Sequence, residues 1–113
     1  MSVKSYSDIL PLIADRQEFE GRSMSAKRYT YPFNTLKKFN LNEYEKQSLL
    51  MYQSLSQFRD SSLYVVYSYR TPIAWAVDGL HAHLNSIKYS ATTNRHQSYV
   101  RSGIDRHISE EEL

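Results

Sequence analysis

Apolar positions recur along this chain with two different periods. Between Leu41 and Phe58 they fall three or four residues apart, so that Leu41, Tyr44, Ser48, Met51, Leu55 and Phe58 line one face, which Leu49 and Tyr52 widen. This is the spacing of an amphipathic helix. Asn42 with Glu45, or Asn40 with Glu43, has the separation of a capping box, and sets the start of a helix over 42–58. From Leu63 to Tyr69 the chain is dense in β-branched and aromatic residues and reads as a strand, entered through a turn at Asp60-Ser61-Ser62. Thr71-Pro72 predicts a bend, because proline cannot donate to a ladder and holds the preceding residue extended. Ile73–Val77 and Leu80–Leu84 flank Asp78-Gly79, a favoured two-residue hairpin turn. In that register Val77 opposes Leu80, Trp75 opposes Ala82 and Ile73 opposes Leu84 on one apolar face. Ala74 and Ala76 then oppose His83 and His81 on the other.

The ends of the chain carry weaker signals. Ser5 or Ser7 can cap a short helix through Ile9, Leu12, Ile13 and Arg16, although Pro11 moves its expected start inward. Phe19–Ala26 reads as a strand. Lys27–Phe39 mixes cations with Tyr29, Tyr31 and Phe33, and reads as a connecting segment with rings on the core and charges in water. A base-stacking, phosphate-binding surface is the functional alternative for the same residues. Ile87–Ala91 predicts another strand. Thr92, Thr93 and Asn94 offer successive caps for a helix to about Ser102, with Gly103 at its exit and a charged, fraying tail over 104–113. The expected fold is α+β: a small antiparallel sheet of residues 63–69, 73–77, 80–84 and 87–91, covered on one face by the 42–58 helix, with short helices at both ends.

Composition narrows the setting. With 113 residues, a single domain over 1–113 is expected. Aromatic residues at 13% and charges of both signs argue for a folded chain in which tyrosine supplies much of the buried area. No stretch is apolar enough to span a membrane or to serve as a signal peptide, so a soluble protein of the cytoplasm is expected. The absence of cysteine excludes disulfides and thiolate metal sites. A net charge of +2 is too small to indicate nucleic-acid binding by itself, although Glu110-Glu111-Glu112 masks a more basic body.

Candidate chemistry concentrates in a few residues. His81 and His83 have the spacing by which one strand face can offer a metal two imidazoles, but no third ligand follows at an identifiable spacing. Thr92, Thr93, Arg95 and His96 stand at a strand-to-helix junction, where first-turn amides, hydroxyls and a guanidinium can surround an anion. Ordinary capping with solvated Arg95 and His96 explains the same letters. A small enzyme would pair His96 with Tyr69 or Ser90, yet no nucleophile elbow, carboxylate pair or metalloprotease motif accompanies them. No cofactor is implied.

Two strings, Tyr67-Ser68-Tyr69-Arg70-Thr71-Pro72-Ile73-Ala74-Trp75 and Lys88-Tyr89-Ser90-Ala91-Thr92-Thr93-Asn94-Arg95-His96-Gln97, together with the weaker Phe19-x-Gly21-x-Ser23-Met24, resemble a family of small bacteriophage and prophage proteins, chiefly from phages of actinobacteria. The resemblance carries no assigned activity. It implies an early, non-structural phage product in host cytoplasm. The expectation is a non-enzymatic protein that engages a host protein or nucleic acid through Tyr67, Tyr69, Thr71, Thr92, Thr93, Arg95 and His96. A self-associating interaction domain is the remaining alternative.

Overall fold

The computed structural model describes residues 6–30, 41–85 and 91–112, with side chains described over 8–30, 41–85 and 92–102. Its elements are α1 (Tyr6–Ala14), β1 (Phe19–Glu20), β2 (Met24–Tyr29), α2 (Glu43–Phe58), β3 (Leu63–Ser68), β4 (Thr71–Val77), β5 (His83–Leu84) and α3 (Ala91–Glu112). The strands form one antiparallel sheet in the order β1-β2-β3-β4-β5. This is the expected α+β class, with helices on both faces of the sheet.

Period-two alternation in β3 divides the core. Leu63, Val65 and Tyr67 join Trp75, Val77, Leu41 and Leu49 on the α2 side. Tyr64 and Val66 join Ile9, Ile13, Phe19, Met24, Ala26, Ala74, Ala76 and Val100 on the side of α1 and α3. Every residue of β3 is buried, which is why it reads as an unbroken apolar run.

The face of α2 that meets the sheet is only part of the one its apolar letters predict, with Leu41 and Leu49 buried and Tyr52 and Leu55 packed beside them. Glu45, Leu49 and Ser56 are buried, while Tyr44, Met51 and Phe58 are 72%, 55% and 89% exposed. The helix is rotated by the groups it must satisfy. Trp75 Nε1 donates to Ser48 Oγ at 3.1 Å, Ser56 Oγ donates to the Ser61 carbonyl at 2.7 Å, and Tyr52 Oη donates to the His81 carbonyl at 2.8 Å. Asn42 caps the helix as expected, its Oδ1 accepting from Glu45 N at 2.8 Å, and the Glu45 carboxylate reaches His83.

The β4–β5 hairpin also departs from the expected register. Trp75 pairs with His83 and Ala74 with Leu84, one residue away from the predicted alignment. Gly79 has φ of +83°, and Asp78 is not left-handed, so the turn needs one positive φ at its third position, where the primed turn needs two. Leu80 N bonds to Val77 O at 3.0 Å, but Arg16 inserts its guanidinium across the two carbonyls that a tight hairpin would use, donating to Val77 O at 2.9 Å and Leu80 O at 2.7 Å. The strands re-pair only beyond a loop. As a result His83 lies on the Trp75 face, where its ring stacks on the indole at 4.9 Å and 21°.

Ile73 leaves its expected face for a second reason. The ladder shifts between Val66 and Tyr67, which pair with Ala74 and Pro72, so Ile73 is the extra residue of a bulge. It packs with Ala74 toward α1 and α3, away from Trp75 and Val77. Pro72 lies inside β4 at this irregularity, where a missing donor costs least, and Thr71 pairs with Ser68.

At the ends, α1 includes Pro11, held by Ile9 and Ile13 in the core. The predicted 19–26 strand is a hairpin of β1 and β2 that turns at Gly21–Ser23, and Lys27–Tyr29 extend β2. Tyr31, Phe33 and the rest of 31–40 lie outside the described residues. So does the predicted 87–91 strand, apart from Ala91, which opens α3. Helix α3 continues through Gly103 instead of leaving there. No helix among the described residues is long and apolar enough to cross a membrane.

Neighbouring leucines test the orientation of α2. Leu49→Ala should cost about 2–5 kcal/mol in urea unfolding, since Leu49 is 4% exposed. Leu50→Ala should stay within about 0.5 kcal/mol, since Leu50 is 53% exposed. Equal costs would contradict the orientation.

Candidate functional site

Three chain segments meet at the end of the sheet where β3 turns into β4. Ser68, the last residue of β3, points toward α3 and places Oγ 2.6 Å from His96 Nδ1 and 3.1 Å from Thr93 Oγ1. Ser23, in the β1–β2 turn, places Oγ 3.3 Å from His96 Nε2. The same turn accepts the Tyr69 N–H at the Ser23 carbonyl, at 2.6 Å. His96 is fully buried, Ser68 is 1% exposed and Thr93 is 6% exposed. A neutral imidazole has one donor and one acceptor nitrogen, and a hydroxyl faces each. With Ser68 donating to Thr93, Nδ1–H donates to Ser68 and Nε2 accepts from Ser23. In that arrangement the Ser68 proton points away from the imidazole, and no substrate carbonyl can approach an oxygen this deeply buried. The node is a brace between α3, β3 and the β1–β2 turn.

A second brace starts one residue on. Gln97 Nε2 donates to the Asn85 carbonyl at 2.7 Å, Asn85 Nδ2 donates to the Pro72 carbonyl at 2.9 Å, and Asn85 N bonds to Ile73 O at 3.0 Å. Helix α3 is thus tied to the start of β4 as well as to the end of β3.

The residues expected to form the site divide among three environments. Thr93 and His96 are inside the node. Tyr67 lies on the opposite face of the sheet, buried on the α2 side, with its hydroxyl 2.8 Å from that of Tyr29. Burial first and the Tyr29 hydroxyl second hold the Tyr67 phenol far above its ordinary range, so it stays neutral. Thr71 is half-buried, and Tyr69, Thr92 and Arg95 are exposed. Because α3 begins at Ala91, Thr92 and Thr93 occupy its first turn instead of its cap. The Tyr69 ring stands 6.0 Å from that of His96, tilted by 44°, and Ser90 lies outside the described residues.

His81 is exposed, whereas His83 places Nε2 2.5 Å from the Glu45 carboxylate. The two imidazoles therefore have different neighbours. Among the described residues no group of three or more metal-ligating side chains occurs. Glu45 is 1% exposed and requires such a partner. This contact was invisible in the letters, because the expected register placed His83 on the other face.

Around the His96 node the outward-facing chemistry is basic and aromatic. Arg22 precedes Ser23, Arg70 follows Tyr69 and Arg95 precedes His96, and all three arginines are exposed. None makes an ion pair among the described residues, in contrast to Arg16 and Arg28, which engage Asp78. Tyr69 is 60% exposed and has φ of +56°, a conformation unusual for a bulky residue and fixed here by its bond to Ser23. Ser23, Ser68 and Arg22 were not among the expected site residues. The Phe19-x-Gly21-x-Ser23-Met24 string was the one signal the sequence offered for the first turn.

Burial, and then the Arg95 charge, lower the His96 pKa below its ordinary value. The unfolded chain therefore binds a proton at this position before the folded chain does, and stability must fall as pH drops through about 6.5 toward the folded value. Thermal unfolding should show this loss as pH falls below about 6.5, with the His96 imidazole resonances titrating below that value. A His96 that titrates above that value would contradict the buried neutral assignment.

No curated protein and no solved structure matches the chain. The family model described as "Family of unknown function (DUF8033)" matches residues 11–111, from α1 through nearly all of α3. That span contains both braces and Arg22, Arg70 and Arg95, and the chain belongs to this family.

Proposed function

We propose that this chain is a small non-enzymatic binding protein of phage or prophage type, acting in host cytoplasm. It engages a host macromolecule through the end of the sheet formed by Arg22, Tyr69, Arg70, Thr92 and Arg95. The observation that carries this reading is the exposure of three arginines without ion-pair partners among the described residues, around a tyrosine held outward in a left-handed conformation. Exposed guanidiniums beside an aromatic face suit phosphate contacts and base stacking, and favour nucleic acid over a protein partner. His96 and Thr93 contribute from below by fixing α3, and the buried Ser68–His96 contact argues against a catalytic role. The resemblance of the three strings to phage proteins supports the biological setting.

Fluorescence anisotropy with a labelled single-stranded oligonucleotide tests the reading. Binding at low salt should weaken with a log–log salt slope of about −2, for three phosphate contacts at roughly −0.7 each. Replacing Arg22, Arg70 and Arg95 together by alanine should weaken it about tenfold or more and flatten the slope, while leaving thermal stability unchanged. Absence of binding at low salt, or unchanged binding by the triple variant, would overturn nucleic acid as the partner.

A further inference from the structure

Tyr69 has a backbone conformation that its side chain makes costly. Its φ is +56°, and Arg16 and Asp60, at 54° and 53°, are the other non-glycine residues with positive φ among those described. Those two belong to helix ends. At α1 Arg16 N bonds to Ile13 O and Gln17 N to Leu12 O, and at α2 Asp60 N bonds to Gln57 O and Ser61 N to Ser56 O. This paired pattern puts the residue after a helix cap in the left-handed region. Tyr69 ends no helix. It is the first of the two residues that link Ser68 to its ladder partner Thr71, and a two-residue turn with positive φ at that place alone takes glycine there. The bond to the Ser23 carbonyl uses the Tyr69 backbone N–H, which glycine would supply equally well. Folding thus asks for a residue without a side chain, and the chain places a tyrosine there.

The ring stands 6.0 Å from that of His96, tilted by 44°, and 60% of the residue remains exposed. Strain of this kind persists where the surroundings fix it, and it concentrates at functional sites. We infer that Tyr69 makes this end of the sheet selective for single-stranded nucleic acid, with one unpaired base stacked on its ring while Arg22, Arg70 and Arg95 hold neighbouring phosphates. The inference rests on the reading of this end as a nucleic-acid surface, and adds which form of nucleic acid it takes and which residue decides. Arginines alone do not make that choice, because a duplex presents phosphates at least as densely as a single strand. Bases within a duplex have their faces covered by stacked neighbours, so a protruding ring reaches a base face only where the base is unpaired. The turn fixes the backbone beneath the ring, between Ser68 in the buried node and Thr71 in the ladder. Binding then orders the side chain alone, which keeps its entropic cost small.

Deleting the ring and the bases separately tests this. The probes are three labelled oligonucleotides of equal length, a single strand of thymidines, the same strand in a duplex, and a single strand of abasic sugar phosphates, compared by anisotropy at one low salt concentration. The parent chain should prefer the thymidine strand to the duplex, and should bind it about tenfold more tightly than the abasic strand. Tyr69→Gly should lose that factor on the thymidine strand and bind the abasic strand as the parent does. Tyr69→Asn, which also accepts positive φ, should show the same loss, and Tyr69→Phe should bind as the parent. Because glycine relieves the turn, Tyr69→Gly should keep or raise the melting temperature. A fall of more than about 4 °C would make the ring a structural requirement and overturn the inference. Equal affinity of the parent for thymidine and abasic strands, or binding that Tyr69→Gly leaves unchanged, would overturn it and leave the arginine surface standing. A parent chain that binds none of the probes would overturn both.

Discussion

An imidazole withdrawn wholly from water must find a hydrogen-bond partner at each nitrogen, and at His96 that requirement organises one end of the molecule. Its partners are Ser68 and Ser23, 28 and 73 residues away in the chain. Satisfying them fixes the angle of α3 against the sheet, the position of the β1–β2 turn and the end of β3. Tyr69, whose N–H is taken by the carbonyl of that same Ser23, is held where its ring projects outward. A partly satisfied node would be worse than an apolar one, because a buried unpaired hydroxyl or imidazole costs about 1–3 kcal/mol. Positions 23, 68, 93 and 96 therefore depend on one another.

The opposite face follows the same logic with different groups. Helix α2 docks on the sheet by combining Leu49, Tyr52 and Leu55 with polar contacts. Trp75 donates to Ser48 and stacks on His83, and His83 in turn holds the buried Glu45 carboxylate. These contacts add little net stability, since each replaces a hydrogen bond to water. They set the rotation of the helix, and so decide that Tyr44, Met51 and Phe58 face outward. Arg16 has a comparable part at the hairpin, where it opens a turn that Asp78-Gly79 alone would have closed.

Legibility in the sequence tracked how local each determinant is. The extent of α2 and the position of β3 could be read directly, because a cap, a period and a fully buried run are properties of neighbouring residues. The face of α2 could be read only in part, since Tyr44, Met51 and Phe58 of the expected stripe are exposed and two buried side chains, Glu45 and Ser56, are polar. The hairpin register failed because a guanidinium from α1 competes with the ladder, and Ile73 was misplaced because bulges leave no mark in the letters. The three strings quoted from the sequence fall on residues that the fold brings together, but their letters carry none of the geometry. They contain Ser23, Ser68, Thr93 and His96, one node assembled from three places, and within them Tyr67 belongs to the other face altogether.

Braced residues and outward-facing ones thus alternate along the chain at this end of the sheet. Arg22, Arg70 and Arg95 each flank a braced residue and are themselves exposed, so that folding explains the inner letters and leaves the arginines and Tyr69 turned outward. Everything in this division rests on the node acting as a unit. A double-mutant cycle on unfolding free energies, with Ser68→Ala and His96→Phe made singly and together, measures that most directly. A coupling energy of about 1 kcal/mol or more is expected for groups in one buried network. Additivity within roughly 0.3 kcal/mol would show that Ser68 and His96 act independently, and would contradict it.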